Sequence, residues 1–411
     1  MKHQQTVVGL DIGTHKIACV VAEVSPDGKV DVIGIGTHPS RGLRKGVVVN
    51  IDSTVESIGL AVQEAELMSG VEVKRVYTGI AGSHIHGYNS HGVVATKDGE
   101  VSQEDVTRVI EAAKAMNISA DQKVLHILPQ DYIIDGQDGI KSPVGMSGVR
   151  LEAKVHVVTG AVSSAQNIIK CCHRCDLEVA DVVLEQLASS EAVLQPEEKE
   201  IGVILVDIGG GTTDIAVFIN GSIRHTSVIP IGGDHLTNDL VVGLRTSPRE
   251  ADQLKRKHGA CMPSMVAPDE MIEIPSVGGR EPRAMPRQVM IQILEPRMEE
   301  LFEMVKAHLE QSGFHNQVSA GVVLTGGSSL LKGAVELAEE IFDAPVRLGR
   351  PSGVGGLVDV VATPVYSTGV GLVLYGCRYR QTNTRSTTKK HHSVSGPSLW
   401  QRMRAWFGDT S

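Results

Sequence analysis

The chain has 411 residues, more than one ordinary hydrophobic core accommodates, so we expect at least two domains. Its formal net charge of -9 argues against a nucleic-acid partner, and its 44 glycines with only 3% aromatic residues are typical of a turn-rich α/β protein. No stretch reaches the ~20 apolar residues of a membrane-spanning helix, and a strand is predicted close to the N-terminus, which favours a cytoplasmic protein without a signal peptide.

A short pattern occurs twice in the chain. In each copy an apolar strand ends at an aspartate, Asp11 in residues 7–14 and Asp207 in residues 204–214, and a glycine turn with hydroxyl residues leads into a second apolar strand. We predict two β-hairpins whose turn N–H groups point at an anion, because glycine lets the main chain approach closely. A polyphosphate would be held between the hairpins, and the two carboxylates suit a magnesium ion bound through its water shell.

Residues 83–175 carry two predicted helices. The first begins after Ser102, a good N-cap, and runs to Met116. The second covers residues 163–175 and contains Cys171, Cys172 and Cys175. Such a cluster is also found in zinc sites, but no second cysteine pair stands at zinc spacing, so we predict that these thiols pack as small hydrophobic groups.

Residues 320–330 form a third element with a glycine turn. A buried strand runs into Gly326 and Gly327, and a helix is predicted over residues 330–341. Two adjacent glycines at this turn leave a flat surface on which a purine ring can lie against the backbone. A Rossmann fingerprint is excluded because a strand, not a helix, follows residues 207–211. A Walker loop is excluded because the sequence has no Gly-Lys-Ser/Thr.

The end of the chain reads as a basic tether followed by an amphipathic helix. Residues 378–404 contain seven Lys or Arg and no acidic residue, and the polar stretch 378–397 predicts a flexible linker. Residues 398–408 predict a helix that lies in the headgroup layer of an anionic membrane, with both tryptophans of the chain on its apolar face. The alternative is a terminal helix that docks on its own domain. The membrane contacts predicted are Leu399, Trp400, Arg402, Met403, Arg404, Trp406 and Phe407.

Together these elements resemble the actin/Hsp70/sugar-kinase superfamily, whose members have an α/β, actin-like (ribonuclease H-like) two-lobed ATPase fold. The resemblance implies that residues 184–192 and 366–372 are hinge helices. It also places Asp252 and Lys255 of helix 247–259 near the ribose, although that helix could equally be an ordinary charged surface helix. The nucleotide contacts implied are Asp11, Gly13, Thr14, Lys16, Asp207, Gly209, Gly210, Gly211, Thr212, Thr213, Asp252, Lys255, Gly326, Gly327 and Ser328, with Asp11 and Asp207 also holding the metal through water.

Several loops outside these shared motifs resemble the FtsA family of bacterial cell-division proteins, among them residues 39–42, 126–130, 145–150 and 275–280. The resemblance implies ATP and Mg²⁺ as ligands, self-association into filaments, and capture of the C-terminal tail of FtsZ at the cytoplasmic face of the inner membrane, at the division site. Later division proteins would then be recruited there. The subdomains implied are 1A (1–82, 162–195 and 365–377), a relocated 1C (83–161), 2A (196–233 and 312–364) and 2B (234–311), before the linker and terminal helix.

Two further predictions concern the residues that contact FtsZ and the residue that could support ATP hydrolysis. The resemblance places the FtsZ tail on subdomain 2B, where we favour Arg283 and Arg297 because a predicted helix, 286–311, would present them beside one groove. Glu185, at the first hinge, stands where related ATPases keep a water-orienting residue, so slow ATP hydrolysis is chemically possible. We expect the nucleotide to act mainly as an assembly switch. The alternative function is a soluble ATP-dependent phosphotransferase on the same fold.

Overall fold

The first lobe is built on a sheet that begins at the N-terminus. The computed structural model describes residues 5–276, 278 and 281–388. The strand order of the first sheet is β11-β6-β1-β2-β3-β19, in which the outer strands β11 (Glu178–Leu184) and β19 (Gly355–Gly356) come from later in the chain; β1, β2 and β3 are antiparallel and β6 is parallel to β1. Its first elements are β1 (Gln5–Ile12), β2 (Lys16–Val24), β3 (Val30–Pro39), β4 (Leu43–Arg44), β5 (Val47–Val48), α1 (Ile51–Ser69) and β6 (Arg75–Ile80).

An inserted subdomain with its own sheet and core follows. Its strand order is β7-β10-β8-β9, and α2 packs on the sheet. The predicted cap is present, since the Ser102 side chain accepts from the Asp105 N–H and the Asp105 carboxylate accepts from the Ser102 N–H. The elements are β7 (His86–Ala95), α2 (Gln103–Lys114), β8 (Gln122–Ile134), β9 (Gln137–Ile140) and β10 (Arg150–Ala161).

The chain then returns to the first lobe through α3 (Val162–His173), β11 (Glu178–Leu184) and α4 (Glu185–Val193), and α5 (Pro196–Ile201) leads to the second lobe. Cys171 and Cys172 are buried in the core, and burial raises the pKa of the Cys171 thiol to about 11. The cysteine cluster therefore packs as predicted.

The second lobe repeats the topology of the first. Its sheet has the order β14-β13-β12-β17-β18, with an antiparallel trio and β17 parallel to β12, as β6 is to β1. The elements are β12 (Val203–Ile208), β13 (Thr213–Ile219), β14 (Ser222–Ile229), α6 (Gly233–Leu244), α7 (Pro248–His258), β15 (Met271–Ile274), β16 (Arg283–Pro286), α8 (Arg287–Ser312), β17 (Val322–Thr325), α9 (Ala334–Phe342) and β18 (Val346–Leu348).

The last elements are β19 (Gly355–Gly356), α10 (Val358–Val361) and α11 (Ser367–Thr388). Helices α4 and α11 cross in backbone contact, because a Cβ at Gly371 would lie 1.9 Å from the Ala188 carbonyl oxygen. The linker predicted from residue 378 is wrong over its first part, since α11 continues to Thr388. No glycine or proline interrupts residues 378–388, so a helix already started in the core can propagate through them. The rest of the linker and the terminal helix lie outside the described residues.

The inserted subdomain also touches the second lobe. The Asn89 side chain donates to the Arg224 carbonyl (2.9 Å), and the Gln130 side chain donates to the Ile223 carbonyl (2.8 Å). The His156 imidazole lies 2.9 Å from the Thr226 hydroxyl, and burial lowers the pKa of His156 to about 4, so the ring is neutral. Strand β14 is therefore joined to the insertion by buried polar contacts as well as by packing.

Candidate functional site

The two predicted hairpin turns have the same local geometry. The Gly13 N–H donates to the Lys16 carbonyl (3.1 Å), and the Gly209 N–H donates to the Thr212 carbonyl (2.9 Å). The turns also touch, because a Cβ at Gly210 would lie 2.8 Å from the His15 Cβ. Two glycine turns from different lobes thus meet and line one cleft.

The cleft between the turns is a cavity of about 340 Å³ lined by both lobes. Fourteen of the fifteen predicted nucleotide contacts line it, as does Glu185. The exception is Thr213, whose hydroxyl donates instead to the Ile231 carbonyl at 2.8 Å. Those that line the cavity are Asp11, Gly13, Thr14, Lys16, Asp207, Gly209, Gly210, Gly211, Thr212, Asp252, Lys255, Gly326, Gly327 and Ser328.

Four carboxyl groups of the cavity lining lie close enough to influence one another's ionisation. Asp11 accepts from the Lys16 ammonium (3.1 Å). Asp207 accepts from the Thr368 hydroxyl (3.3 Å), and its pKa is raised to about 6, mainly by burial. Burial, followed by the charge of Asp207, raises the pKa of Asp214 to about 8. Burial and the three aspartates raise the pKa of Glu185 well above its usual value.

No three His, Cys, Asp or Glu among the described residues are placed to ligate one metal ion directly, so this acidic cluster suits a divalent cation held through its water shell. One oxygen of Asp214 is buried and has no hydrogen-bond partner in the part of the chain that the structure describes. Hard cations such as Mg²⁺ take carboxylate oxygens, directly or through water, and a positive charge among these groups would favour their ionised forms. The donor set therefore matches the metal predicted from the sequence, with Asp214 as an additional candidate ligand beside Asp11 and Asp207.

The glycines of the third element form the other wall. Gly326 has φ +83°, and a Cβ there would lie 2.4 Å from an Asp207 carboxylate oxygen, so only glycine fits. A Cβ at Gly327 would meet no atom within 4 Å, which leaves open space over that residue. The Ser328 hydroxyl donates to the Gly209 carbonyl at 3.1 Å and so joins this wall to the phosphate turn.

Asp252 and Lys255, which are predicted to lie near the ribose, both line the cavity, and both already have polar partners within the fold. The Lys255 ammonium donates to the Gly233 carbonyl (2.8 Å) and to the Thr237 hydroxyl (2.7 Å). Asp252 lies 3.1 Å from that ammonium and 2.8 Å from Arg256. Lys255 therefore positions Asp252, whose carboxylate is the more exposed of the two groups toward the cavity.

Several lining residues were missing from the prediction, and they differ in how well the sequence signals them. Asp214 was signalled by the repeated pattern itself, since it lies opposite Asp207 in the antiparallel pair β12–β13. His15, Asp234, Arg256 and Thr368 come from separate elements, and only the closing of the two lobes brings them together.

The arginines predicted to bind a partner are not both on one helix. Arg283 lies on β16, where its guanidinium donates to the Leu244 carbonyl at the end of α6. Arg297 lies on α8 and is half-buried, with its guanidinium 2.7 Å from Asp239 and also paired with Glu300. The residues before Pro286 gave no sign of the short strand β16, so Arg283 lies on that strand and not on α8. The guanidinium of Arg297 already forms ion pairs with Asp239 and Glu300.

Comparison with known proteins decides the family. The model of the family "Cell division protein FtsA" matches residues 204–371, and that of the "SHS2 domain inserted in FTSA" matches residues 82–159. A relative named cell division protein FtsA from Pseudomonas aeruginosa is 54% identical over 403 residues, covering 97% of each chain. The chain belongs to the FtsA family of cell division proteins. The resemblance found in the sequence is thereby confirmed.

Solved structures of other proteins share the fold of this FtsA family member. The PilM–PilN type IV pilus biogenesis complex matches with a TM-score of 0.67 at 15% identity, over 91% of this chain and 99% of that chain. MreB 5 of Spiroplasma citri bound to AMPPNP matches with a TM-score of 0.57 at 13% identity, over 93% and 99%. The actin-like fold is confirmed. No helix among the described residues is long and apolar enough to cross a membrane.

Proposed function

We propose that the protein binds ATP with Mg²⁺ between its two lobes and uses the nucleotide as a switch for assembly into filaments. The observation that carries this proposal is the pair of matched glycine turns facing each other across a cleft that contains four carboxyl groups. A protein of the same fold is described as bound to AMPPNP, an ATP analogue, which supports a triphosphate in such a cleft.

Each part of the cleft has a role in this proposal. The turn N–H groups and Lys16 bind the phosphates, and the open face over Gly327 receives the base. Asp11, Asp207 and Asp214 would hold Mg²⁺ through its water shell, and the ion would supply positive charge that offsets the phosphates. Glu185, whose pKa burial and the neighbouring aspartates raise well above its usual value, would orient a water molecule, so slow hydrolysis is chemically possible.

The test is a titration with fluorescent ATP in Mg²⁺ and in EDTA. We expect Asp207→Asn to weaken binding in Mg²⁺ by about tenfold or more, because a charged metal partner is lost. In EDTA the two proteins should differ much less. The control is Asp27→Asn, an exposed aspartate of the β2–β3 turn far from the cleft. Equal affinity of Asp207→Asn and the unaltered chain in Mg²⁺ would remove the metal role.

We further propose that the protein is a membrane adaptor for division. Its terminal helix, residues 398–408, would hold it on anionic lipid at the cytoplasmic face of the inner membrane, and subdomain 2B around Arg283 would capture the acidic C-terminal tail of FtsZ. The support is the family to which the chain belongs, together with the basic, tryptophan-containing end of the sequence. Filaments of the protein would then gather FtsZ and later division proteins at the division site.

A further inference from the structure

One side chain of the first phosphate turn reaches the opposite lobe. His15 Nδ1 lies 3.4 Å from the Asp234 carboxylate at the start of α6, and Nε2 lies 3.7 Å from the Asp252 carboxylate on α7. Arg256, also on α7, contacts the same Nε2. A single imidazole from the first lobe is therefore surrounded by three charged groups of the second.

The polar contacts around this ring form a connected chain. An imidazole that carries its proton on Nδ1 presents that N–H to the Asp234 carboxylate, 3.4 Å away, and accepts from Arg256 at Nε2, so both ring nitrogens face a partner. Arg256 is held in turn by Asp252 (2.8 Å), and Asp252 by Lys255 (3.1 Å). The contact with His15 thus continues into a network that is fixed within the second lobe.

His15 lies between the two lobes at the cavity. His15, Asp234, Asp252 and Arg256 all line the cavity, and His15 packs over Gly210 of the second turn. The side chain is 42% exposed, as expected for a group at the mouth of the cleft. Separating the lobes to release a ligand breaks its contacts with Asp234 and Arg256, whereas the contacts inside each turn persist.

We propose that His15 is a positioning residue that clasps the two lobes over the phosphate turns and slows release of the bound nucleotide. This role rests on the proposed nucleotide function and adds a determinant of its release rate. The contacts of His15 are polar and partly exposed, so each contributes less than a buried charged hydrogen bond would. Loss of this clasp should therefore accelerate nucleotide dissociation by about three- to tenfold, with little change in the association rate.

The experiment is stopped-flow dissociation of a fluorescent ATP analogue with Mg²⁺, chased by excess ATP. The variants are His15→Ala, Asp234→Ala and the double variant, with His15→Gln as a rescue because an amide can both donate and accept. His91→Ala is the matched control, since His91 is a similarly exposed histidine (45%) that pairs with Glu152 at 2.7 Å within the inserted subdomain. The melting temperature of each nucleotide-free variant is measured alongside.

The clasp predicts faster dissociation in both single variants and no further acceleration in the double variant. His15→Gln should recover part of the slow release, and His91→Ala should behave like the unaltered chain. Unchanged dissociation in His15→Ala would overturn the clasp. Effects of His15→Ala and Asp234→Ala that multiply in the double variant would also overturn it, because they would show two separate contacts. Failure of the unaltered chain to bind the analogue would instead overturn the proposed function, and the clasp with it.

Discussion

Asp214 and Thr213 show how far single residues of the site can be read from the sequence. Successive side chains of an extended strand point to opposite faces, so Thr212, just before β13, and Asp214 share one face and Thr213 takes the other. The repeated pattern located the turn, yet the predicted contacts included Thr213, which lies outside the cavity lining, and left out Asp214, which belongs to it. Strand alternation alone would have corrected both assignments.

Thr368 illustrates a contact that sequence reasoning could not supply. Its hydroxyl donates to Asp207, which is 161 residues away in the chain. No spacing rule joins a hinge helix of the first lobe to a strand end of the second, because the contact depends on how the two sheets are oriented about α4 and α11. His15 and Asp234 belong to the same class, since each lies in a well-predicted segment but finds its partner only in the folded molecule.

The raised pKa of Asp214 gives a prediction at this scale. A carboxyl group whose pKa is raised by folding, here to about 8, costs stability progressively as the pH rises above its unfolded value of about 3.9. Asp214→Asn removes this cost, so without nucleotide the variant should melt higher than the unaltered chain at pH 8. We expect a difference of at least about 2–4 °C, which shrinks toward pH 5.

Calorimetry of both proteins from pH 5 to pH 8, in EDTA, measures this difference. Addition of Mg²⁺ and ATP at pH 8 should stabilise the unaltered chain more than the variant, because the cation favours the ionised carboxylate. A melting difference that is constant across the pH range would contradict the raised pKa of Asp214.

At the scale of elements, the sequence predicted segments better than their ends. The helix expected over residues 330–341 begins only at Ala334, because Gly333 has φ +83° and a 3-10 turn, Gly327–Leu330, comes first. Helix α11 continues past the expected boundary because a polar composition does not by itself end a helix, and residues 378–388 contain no glycine or proline. Strands with strong apolar runs, such as β12, were located well.

The contact between the inserted subdomain and β14 could not be predicted, because it joins two units that are separate in sequence. Its outer part is an ion pair between Arg224 and Asp131 at 2.6 Å, with only 12% and 15% of the two side chains exposed. The Lys141 ammonium also contacts Asp131, at 2.9 Å. The Arg224–Asp131 ion pair is thus largely shielded from solvent, unlike most surface ion pairs.

Removing this pair should loosen the insertion from the second lobe. We expect Arg224→Ala to cost about 1–3 kcal/mol and to speed amide hydrogen exchange in β14 and β8, because Asp131 keeps only Lys141 as a partner. Arg174→Ala is the control, since it breaks an exposed pair with Asp52 in which 47% and 84% of the side chains are exposed. Equal exchange in both variants would mean that packing alone holds the insertion to β14.

At the scale of the whole molecule, the duplicated turns anticipated two lobes of equal topology, and the structure has them. The sequence did not predict which residues lie next to one another on the surface of each lobe. Arg283 reaches the end of α6 from the β15–β16 hairpin, while Arg297 pairs with Asp239 of the same helix. Both therefore lie beside α6, but only Arg283 is exposed enough to offer its charge to an acidic peptide.

The adaptor proposal predicts that membrane binding and peptide capture can be lost separately. Vesicles containing anionic lipid, sedimented with the protein and a labelled peptide of the FtsZ C-terminal tail, report both. Trp400→Glu/Phe407→Glu should abolish sedimentation of protein and peptide together. Arg283→Glu should leave the protein on vesicles but weaken peptide capture by about tenfold or more, whereas Arg249→Glu, an exposed charge reversal on α7 of the same subdomain, should not. Sedimentation of the Trp400/Phe407 variant at the level of the unaltered chain would contradict the anchor, and equal capture by the two arginine variants would remove Arg283 from the peptide site.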